Sequence, residues 1–264
     1  MIQTIMKQKL SINQRLSIAD RWDIAAKVWH TDKEIEIIKT LMEHLQISQQ
    51  SVISDVACGT GFHSINLSNL GHNVIASDID ENNLKIFSKR LYEDDIKNIT
   101  VFKMDWLKMQ STLFTKVDAL MCLGSSITYF ESWKEGKHID SKNRIVGLKN
   151  VLHNFKNAVK VNGKVIIGFS RHYPENKNLE IVNFEPIVIE GELLEMKWFL
   201  ELDWKNFQKK WTCDVRSEHN NYTFDLESHL YTLDEFKSIC LTVFDNVEVL
   251  DINANYYDLF VVCS

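Results

Sequence analysis

The sequence predicts an α/β fold: a doubly wound, seven-stranded sheet carrying an inserted antiparallel β lobe. Three observations predict it. Between Val52 and Phe169, short apolar runs alternate with helix-period stretches, the pattern of successive βαβ units. The first of these runs leads into Asp55-Val56-Ala57-Cys58-Gly59-Thr60-Gly61 and then a helical pattern, so a glycine loop joins strand to helix. Beyond Pro174 the period changes to two, as Lys210-Trp211-Thr212-Cys213-Asp214-Val215-Arg216 shows.

Residues 11–48 read as helical: Ile18, Trp22, Ala25, Ala26 and Trp29 recur at helical spacing. Thr31 or Asp32 caps a second helix whose apolar stripe is Ile35, Ile38, Leu41, Met42 and Leu45. Val52–Val56 is the first predicted strand, Phe62–Leu70 a helix closed by Gly71, and Val74–Ser77 the second strand. Helix Asn82–Leu91 and strands Ile99–Met104 and Val117–Leu123 follow. The long amphipathic stretch Asn143–Val159 is a helix, Asn162-Gly163 a turn, and Val165–Phe169 the fifth strand. The segments 181–190, 193–204, 208–216 and 222–231 are strand-like, with polar breaks at Glu190-Gly191, Lys205-Asn206 and His219-Asn220-Asn221. Helix 233–242 resumes the α/β rhythm, and Val247–Leu250 with Leu259–Cys263 forms a closing hairpin. No linker or repeat divides the chain. The expectation is one domain over 1–264 with the antiparallel lobe at 175–231.

The composition narrows the function classes. A net charge of −6 with no dense Lys/Arg run disfavours nucleic acid as a primary partner. No apolar run approaches the ~20 residues of a membrane span, so no membrane partner is expected. The five cysteines are scattered, odd in number and without metal-ligand spacing; the expectation is no metal and a reducing, cytoplasmic setting. A small-molecule substrate is the expected partner, and self-association is left open.

Gly59 and Gly61 let the backbone approach a bound cofactor closely. Asp78 ends the second apolar run, where a carboxylate can accept from two ribose hydroxyls. Such a site serves the adenosine of a nicotinamide dinucleotide or of S-adenosylmethionine. The dinucleotide pattern G-x-G-x-x-G wants a third glycine where this chain has Ser64. Asp55 ahead of the loop would repel a pyrophosphate and suits a cofactor bearing an ammonium group. S-adenosylmethionine is therefore favoured; a dinucleotide, or strand-end acids serving no ligand, are the alternatives.

Asp55 to Gly61, Gly71-His72-Asn73-Val74-Ile75-Ala76-Ser77-Asp78, Asp105-Trp106 and Cys122-Leu123-Gly124-Ser125-Ser126 together resemble the class I S-adenosylmethionine-dependent methyltransferases. Within that Rossmann-like family the chain is most similar to the glycine/sarcosine N-methyltransferase group. The core resemblance covers roughly residues 20–173, and the order of the inserted strands and closing hairpin agrees with that group. It implies that Asp55, Ala57, Gly59 and Gly61 lie at the cofactor's methionine and ribose, that Asp78 holds the ribose hydroxyls, and that Ile79 packs on adenine. It also implies that Asp105 and the backbone of Trp106 meet the adenine edge, and that the Leu123 carbonyl receives the cofactor ammonium. Trp106 reads equally well as a core aromatic.

On the acceptor side the resemblance implies substrate binding by Ser126, Arg171 and Tyr173. A guanidinium such as Arg171 is the natural partner of a carboxylate, although a loop arginine also serves ordinary ion pairs. Residues 1–48 resemble the family's helical lid, which would bring Trp22 over the methyl group or against a cationic amine; a core role is the alternative. The chain departs from the family at Ser125, where Asn is usual, and at Phe169-Ser170-Arg171-His172-Tyr173, where Asp-His-Arg-Asn-Tyr is usual. His172 and Tyr129 are the candidate catalytic groups, with His138 and His153 also near strand ends. The resulting expectation is N-methylation of an amino-acid-like or carboxylate-bearing amine. O- or ring-N-methylation of a natural-product intermediate, with His172 as base, is an alternative; a non-catalytic cofactor-binding module is another.

Overall fold

The strand β1 (Val52–Asp55) lies inside the larger of two sheets, paired in parallel with β2 (Asn73–Asp78) on one side and β4 (Val117–Cys122) on the other. A computed structural model describes residues 16–29, 32–109, 115–133, 137–170, 177–183, 186–189, 191–218, 221–252 and 258–264. β3 (Ile99–Lys103) pairs with β2, and β5 (Val159–Ser170) pairs with β4, both in parallel. The strands between β5 and residue 247 form a second sheet, and β11 (Val247–Leu250) and β12 (Asp258–Cys263) return to the first. There β12 runs antiparallel between β5 and β11, giving the order β11-β12-β5-β4-β1-β2-β3 over seven strands. The winding direction reverses between β1 and β4, so a crevice opens beyond their carboxyl ends.

Both faces of the sheet are covered, which is why its strands read as apolar runs. Helices α5 (Arg144–Ala158) and α6 (Leu233–Cys240) bury Leu148, Phe155 and Phe236 against one face, with Leu120, Val165 and Ile167. Helices α2 (Asp32–His44), α3 (Phe62–Asn69) and α4 (Glu81–Glu93) bury Ile38, Leu41, Leu67 and Phe87 against the other, with Ile53, Met121 and Ile166. Ile166 and its neighbours fall in opposite layers, the period-two alternation of a strand.

Two expectations shift here. Asn162-Gly163 is not a turn ahead of the fifth strand: β5 starts at Val159 and is bulged, its register against β4 jumping between Val117 and Ala119 while Asn162 takes φ 66°. The expected strand 181–190 is two strands, β6 (Lys177–Asn183) and β7 (Ile187–Ile189). Pro186 between them has no N–H to give a ladder.

β8 (Glu192–Asp203), β9 (Gln208–Arg216) and β10 (Asn221–His229) complete an antiparallel sheet of order β10-β9-β8-β6, with β7 on β8. The inward side chains of β8 alternate as Leu194, Met196, Trp198, Leu200 and Leu202. Helix α1 (Ile18–Trp29) packs into this lobe. Its Arg21, 2% exposed, lays its guanidinium 4.1 Å over Tyr222 and 5.1 Å over Phe224, a cation–π seat that removes it from water at modest cost. Trp22 meets Trp198 edge-on at 5.1 Å.

Candidate active site

A cavity of about 750 Å³ fills the crevice over the ends of β1, β2 and β4, between the large sheet, α1 and the inner face of the lobe. Of the residues singled out from the sequence, Ala57, Gly59, Asp78, Ile79, Asp105, Trp106 and Leu123 line it. So do Trp22, Ser126 and Tyr129. Arg171, His172 and Tyr173 lie outside the described residues.

The two glycines do different work. Gly59 has φ 51°, and a Cβ built on it would meet nothing within 4 Å, so the backbone faces open space beside the cavity. Gly61 does not line the cavity: it has φ 97°, and a Cβ there would lie 2.2 Å from the ring of Phe87. Its requirement is close packing of loop on helix rather than approach to a ligand.

Asp55 also departs from its expected place. It is 1% exposed and does not line the cavity. Its carboxylate accepts from Ser64 Oγ at 2.7 Å and from the Ala57 backbone, and burial pushes its pKa up. Ser64 thus stands at the third-glycine position as a hydroxyl donor to a buried acid. The carboxylate braces the loop from behind, so the reasoning that it faces a pyrophosphate or an ammonium does not hold in this geometry.

Asp78 is the buried carboxylate that does reach the cavity. Oδ2 accepts from Gly59 N–H at 2.9 Å and Oδ1 from Asp80 N–H at 2.8 Å. Burial outweighs these bonds and raises the pKa to about 6. Ile79 beside it is 46% exposed, an apolar side chain offered to the cavity. Asp105 accepts from Leu107 N–H at 3.0 Å, capping a short 3-10 turn. Trp106 is both wall and core: its indole N–H donates to the Val56 carbonyl at 2.7 Å and its ring meets Phe155 at 5.6 Å.

At the end of β4, the Leu123 carbonyl accepts from Ser126 N–H at 3.1 Å, which leaves one of its two lone pairs for a ligand. Ser125, with φ 55°, joins the β4 loop to β5 by accepting from Ser170 N–H at 2.7 Å. Tyr129 lines the cavity but is ill suited to the role of base: its hydroxyl is buried beside Ser228 and Trp211, and burial drives its pKa well up. His138 lies outside the cavity and pairs with Glu227 at 2.8 Å, and His153 is exposed on α5.

Several contributors were not singled out from the sequence. Asp23 of α1 receives Arg90 Nη2 at 2.8 and 2.7 Å and the Thr60 hydroxyl, while Arg90 Nη1 donates to the Thr60 carbonyl at 2.9 Å. These bonds tie the helix to the glycine loop. His63 lines the cavity and bonds the buried Glu34 at 2.8 Å. Lys209 of β9, 3% exposed, sets its Nζ 5.2 Å over the Tyr129 ring. Glu131 and Trp133 also line the cavity. Among the described residues no group of three His, Cys, Asp or Glu side chains could hold a metal ion, and no helix is long and apolar enough to cross a membrane.

Residues 53–145 match the family model of a methyltransferase domain. The chain is 35% identical to the glycine/sarcosine N-methyltransferase of Parasynechococcus marenigrum over 114 residues, 42% of this chain and 38% of that protein. It therefore spans about two fifths of the length of that relative. Over 75 residues it is 36% identical to a ribosomal protein L11 methyltransferase of a Thermoanaerobacter species, 27% of this chain and 24% of that one. Among solved structures, an amino pentose methyltransferase from Micromonospora echinaspora, described with S-adenosylmethionine bound, superposes with a TM-score of 0.65 at 12% identity, covering 97% of both chains. The seven-stranded sheet with its antiparallel lobe is a fold shared with that enzyme.

Proposed function

We propose that this chain is a class I S-adenosylmethionine-dependent methyltransferase that methylates an amino group of a small, carboxylate-bearing molecule. The observation that carries the cofactor reading is Asp78. It is a buried, cavity-facing carboxylate that accepts from the Gly59 and Asp80 backbone N–H groups and from the Asn83 side chain, and burial still outweighs these bonds and raises its pKa. Two ribose hydroxyls are the donors such a group lacks, and the open space over Gly59 supports close approach of the sugar. Ile79 would pack on the adenine, Asp105 would accept at its edge, and Leu123 and Ala57 would flank the methionine part. Bound there, S-adenosylmethionine supplies a methyl on a sulfonium, already activated for displacement. The protein's own task is alignment and exclusion of water.

The acceptor reading rests on different observations. The two relatives differ in the acceptors that their names state, a small amine and a ribosomal protein, so these partial matches do not fix the acceptor. The acceptor end of the cavity is roofed by the lobe and α1, and it is lined by Trp22, Trp133, Trp211 and Tyr129 with Lys209 and Glu131. That volume and those charges suit a small zwitterionic amine better than a protein chain. Arg171 remains the proposed carboxylate anchor, and Ser126, His172 and Tyr173 remain proposed acceptor-side residues.

A panel of amino acids, small amines, phenols and azoles, incubated with S-adenosylmethionine and read by mass spectrometry, tests the acceptor. Methylated amino acids or amines are expected. Methylation only of phenols or azoles would overturn the N-methylation reading, and binding of NAD without S-adenosylmethionine by calorimetry would overturn the cofactor.

A further inference from the structure

Glu131 opens into the acceptor end of the cavity, just after the 3-10 turn Ser126–Tyr129. Its Oε1 lies 2.9 Å from Nε2 of His229, the last residue of β10. His229 is fully buried, stacked on Phe130 at 5.0 Å and set edgewise to Tyr231 at 6.3 Å. Its Nδ1 has no hydrogen-bond partner among the described residues. A neutral imidazole carries one N–H and one lone pair. With hydrogen on Nε2, the carboxylate receives it and the buried Nδ1 is spared the status of an orphan donor. Burial also pushes the His229 pKa below its ordinary value, which keeps the ring neutral. The charge of the pair therefore resides on Glu131. His229 fixes one of its oxygens; the other has no hydrogen-bond partner among the described residues.

The surroundings favour a cation at that second oxygen. Trp133 meets Trp22 at 5.6 Å and Tyr129 at 5.4 Å, and Trp22 meets Trp211 at 6.2 Å, and these rings line the same cavity as Glu131. Aromatic faces and a carboxylate together recognise ammonium groups. Among the described residues, Arg144 of α5, Asp140, Tyr231 and Glu235 are the charged and titratable groups around the pair, and Lys209 of β9 and Lys137 line the same cavity.

Resting on the reading that the cavity takes S-adenosylmethionine, we propose that Glu131 receives the acceptor as a protonated primary or secondary amine and takes up its proton, with His229 as the positioning residue. An N–H bond of the ammonium breaks and its proton moves to the second oxygen of Glu131. The lone pair left on nitrogen forms the N–C bond to the sulfonium methyl, while the C–S pair stays on sulfur. The positive charge passes from sulfonium to methylated ammonium, and Glu131 returns its proton to solvent.

Tetramethylammonium, a cation with no N–H, probes the site without turnover. Calorimetry on protein saturated with S-adenosylhomocysteine should show it binding the wild type and binding E131Q at least tenfold more weakly, with E131D in between. Affinity for S-adenosylhomocysteine should be the same in all three. His229→Gln, which keeps a donor, should retain binding; His229→Phe, which removes it, should weaken tetramethylammonium binding. Equal affinity of wild type and E131Q for tetramethylammonium, or none in the wild type, would overturn the proposal. So would loss of S-adenosylhomocysteine binding in E131Q, because Glu131 would then be serving the cofactor half. A wild type that holds tetramethylammonium through Glu131 but no S-adenosylhomocysteine would instead sink the methyl-donor reading and keep the cation site.

Discussion

Lowering the pH through 6 should expel a bound adenosine group from the cavity, because Asp78 takes up a proton there. Burial raises this acid from 3.8 to about 6. At about 1.4 kcal/mol per pKa unit, the charged form costs the unbound protein about 3 kcal/mol. The sign follows from proton counting. Between pH 3.8 and about 6 the native state holds a proton that the unfolded state has lost, so this residue's contribution to stability rises on acidification and is lost as pH rises through 6. A ribose diol supplies two donors to the charged form, each worth ~1.5–3 kcal/mol to a carboxylate, and so pulls the pKa back down. Binding thus releases a proton near pH 6, and affinity should fall about tenfold per unit below it. Asp78→Ala removes both bonds, ~3–6 kcal/mol or roughly 10²–10⁴-fold in affinity. Titration calorimetry with S-adenosylhomocysteine from pH 8 to 5, in two buffers of different ionisation enthalpy, measures affinity and proton release together. Constant affinity across that range with no proton released, or a less than fivefold loss in Asp78→Ala, would refute the assignment of this carboxylate to the ribose.

Two further outcomes concern the loop and the helix above it. Gly61→Ala should destabilise the fold by ~2–5 kcal/mol, combining left-handed strain with overpacking against Phe87; calorimetric melting should recover part of the loss in the double variant with Phe87→Leu, and strict additivity would count against the contact. Arg90→Met strips the charge partner from the mostly buried Asp23 and should cost ~1–3 kcal/mol; hydrogen exchange should quicken in residues 18–29 while β1 stays protected, and unchanged exchange would show that the tie carries no load.

The cofactor half was legible in the sequence because its parts are local. Strand, glycine loop, helix and the acid ending the next strand follow one another within two βα units, and each has its own pattern signal. Asp55 was misplaced for a reason of the same scale: a strand-end carboxylate can turn toward ligand or core. What decided it was Ser64, nine residues on, whose hydroxyl looked only like a missing glycine. On the other side of the cavity, Trp22, Ser126 and Tyr129 were legible as lining residues, but the ionic pairs were not. Glu131 meets His229 across 98 residues, and Asp23 meets Arg90 across 67. No periodicity reports such pairs, and a lone Glu or His in a polar stretch carries no signal of burial. Lys209 was hidden similarly, within a strand whose alternation reads as ordinary surface.

Three successive residues of α1 explain how the two halves are joined. A helix turns about 100° per residue, so Arg21, Trp22 and Asp23 point in three directions. Arg21 is seated on Tyr222 and Phe224 of the lobe, Trp22 enters the tryptophan cluster at the cavity wall, and Asp23 is held by Arg90 and the Thr60 hydroxyl. The helix cannot leave the cavity mouth without unseating all three. Thr60 stands between Gly59, which donates to Asp78, and Gly61, which is packed on Phe87. Geometry at Asp78 is thereby connected, through one residue of the loop and one turn of helix, to the aromatic wall of the cavity that Glu131 also lines. A chain built this way can keep its glycine loop fixed while lobe and helix residues vary.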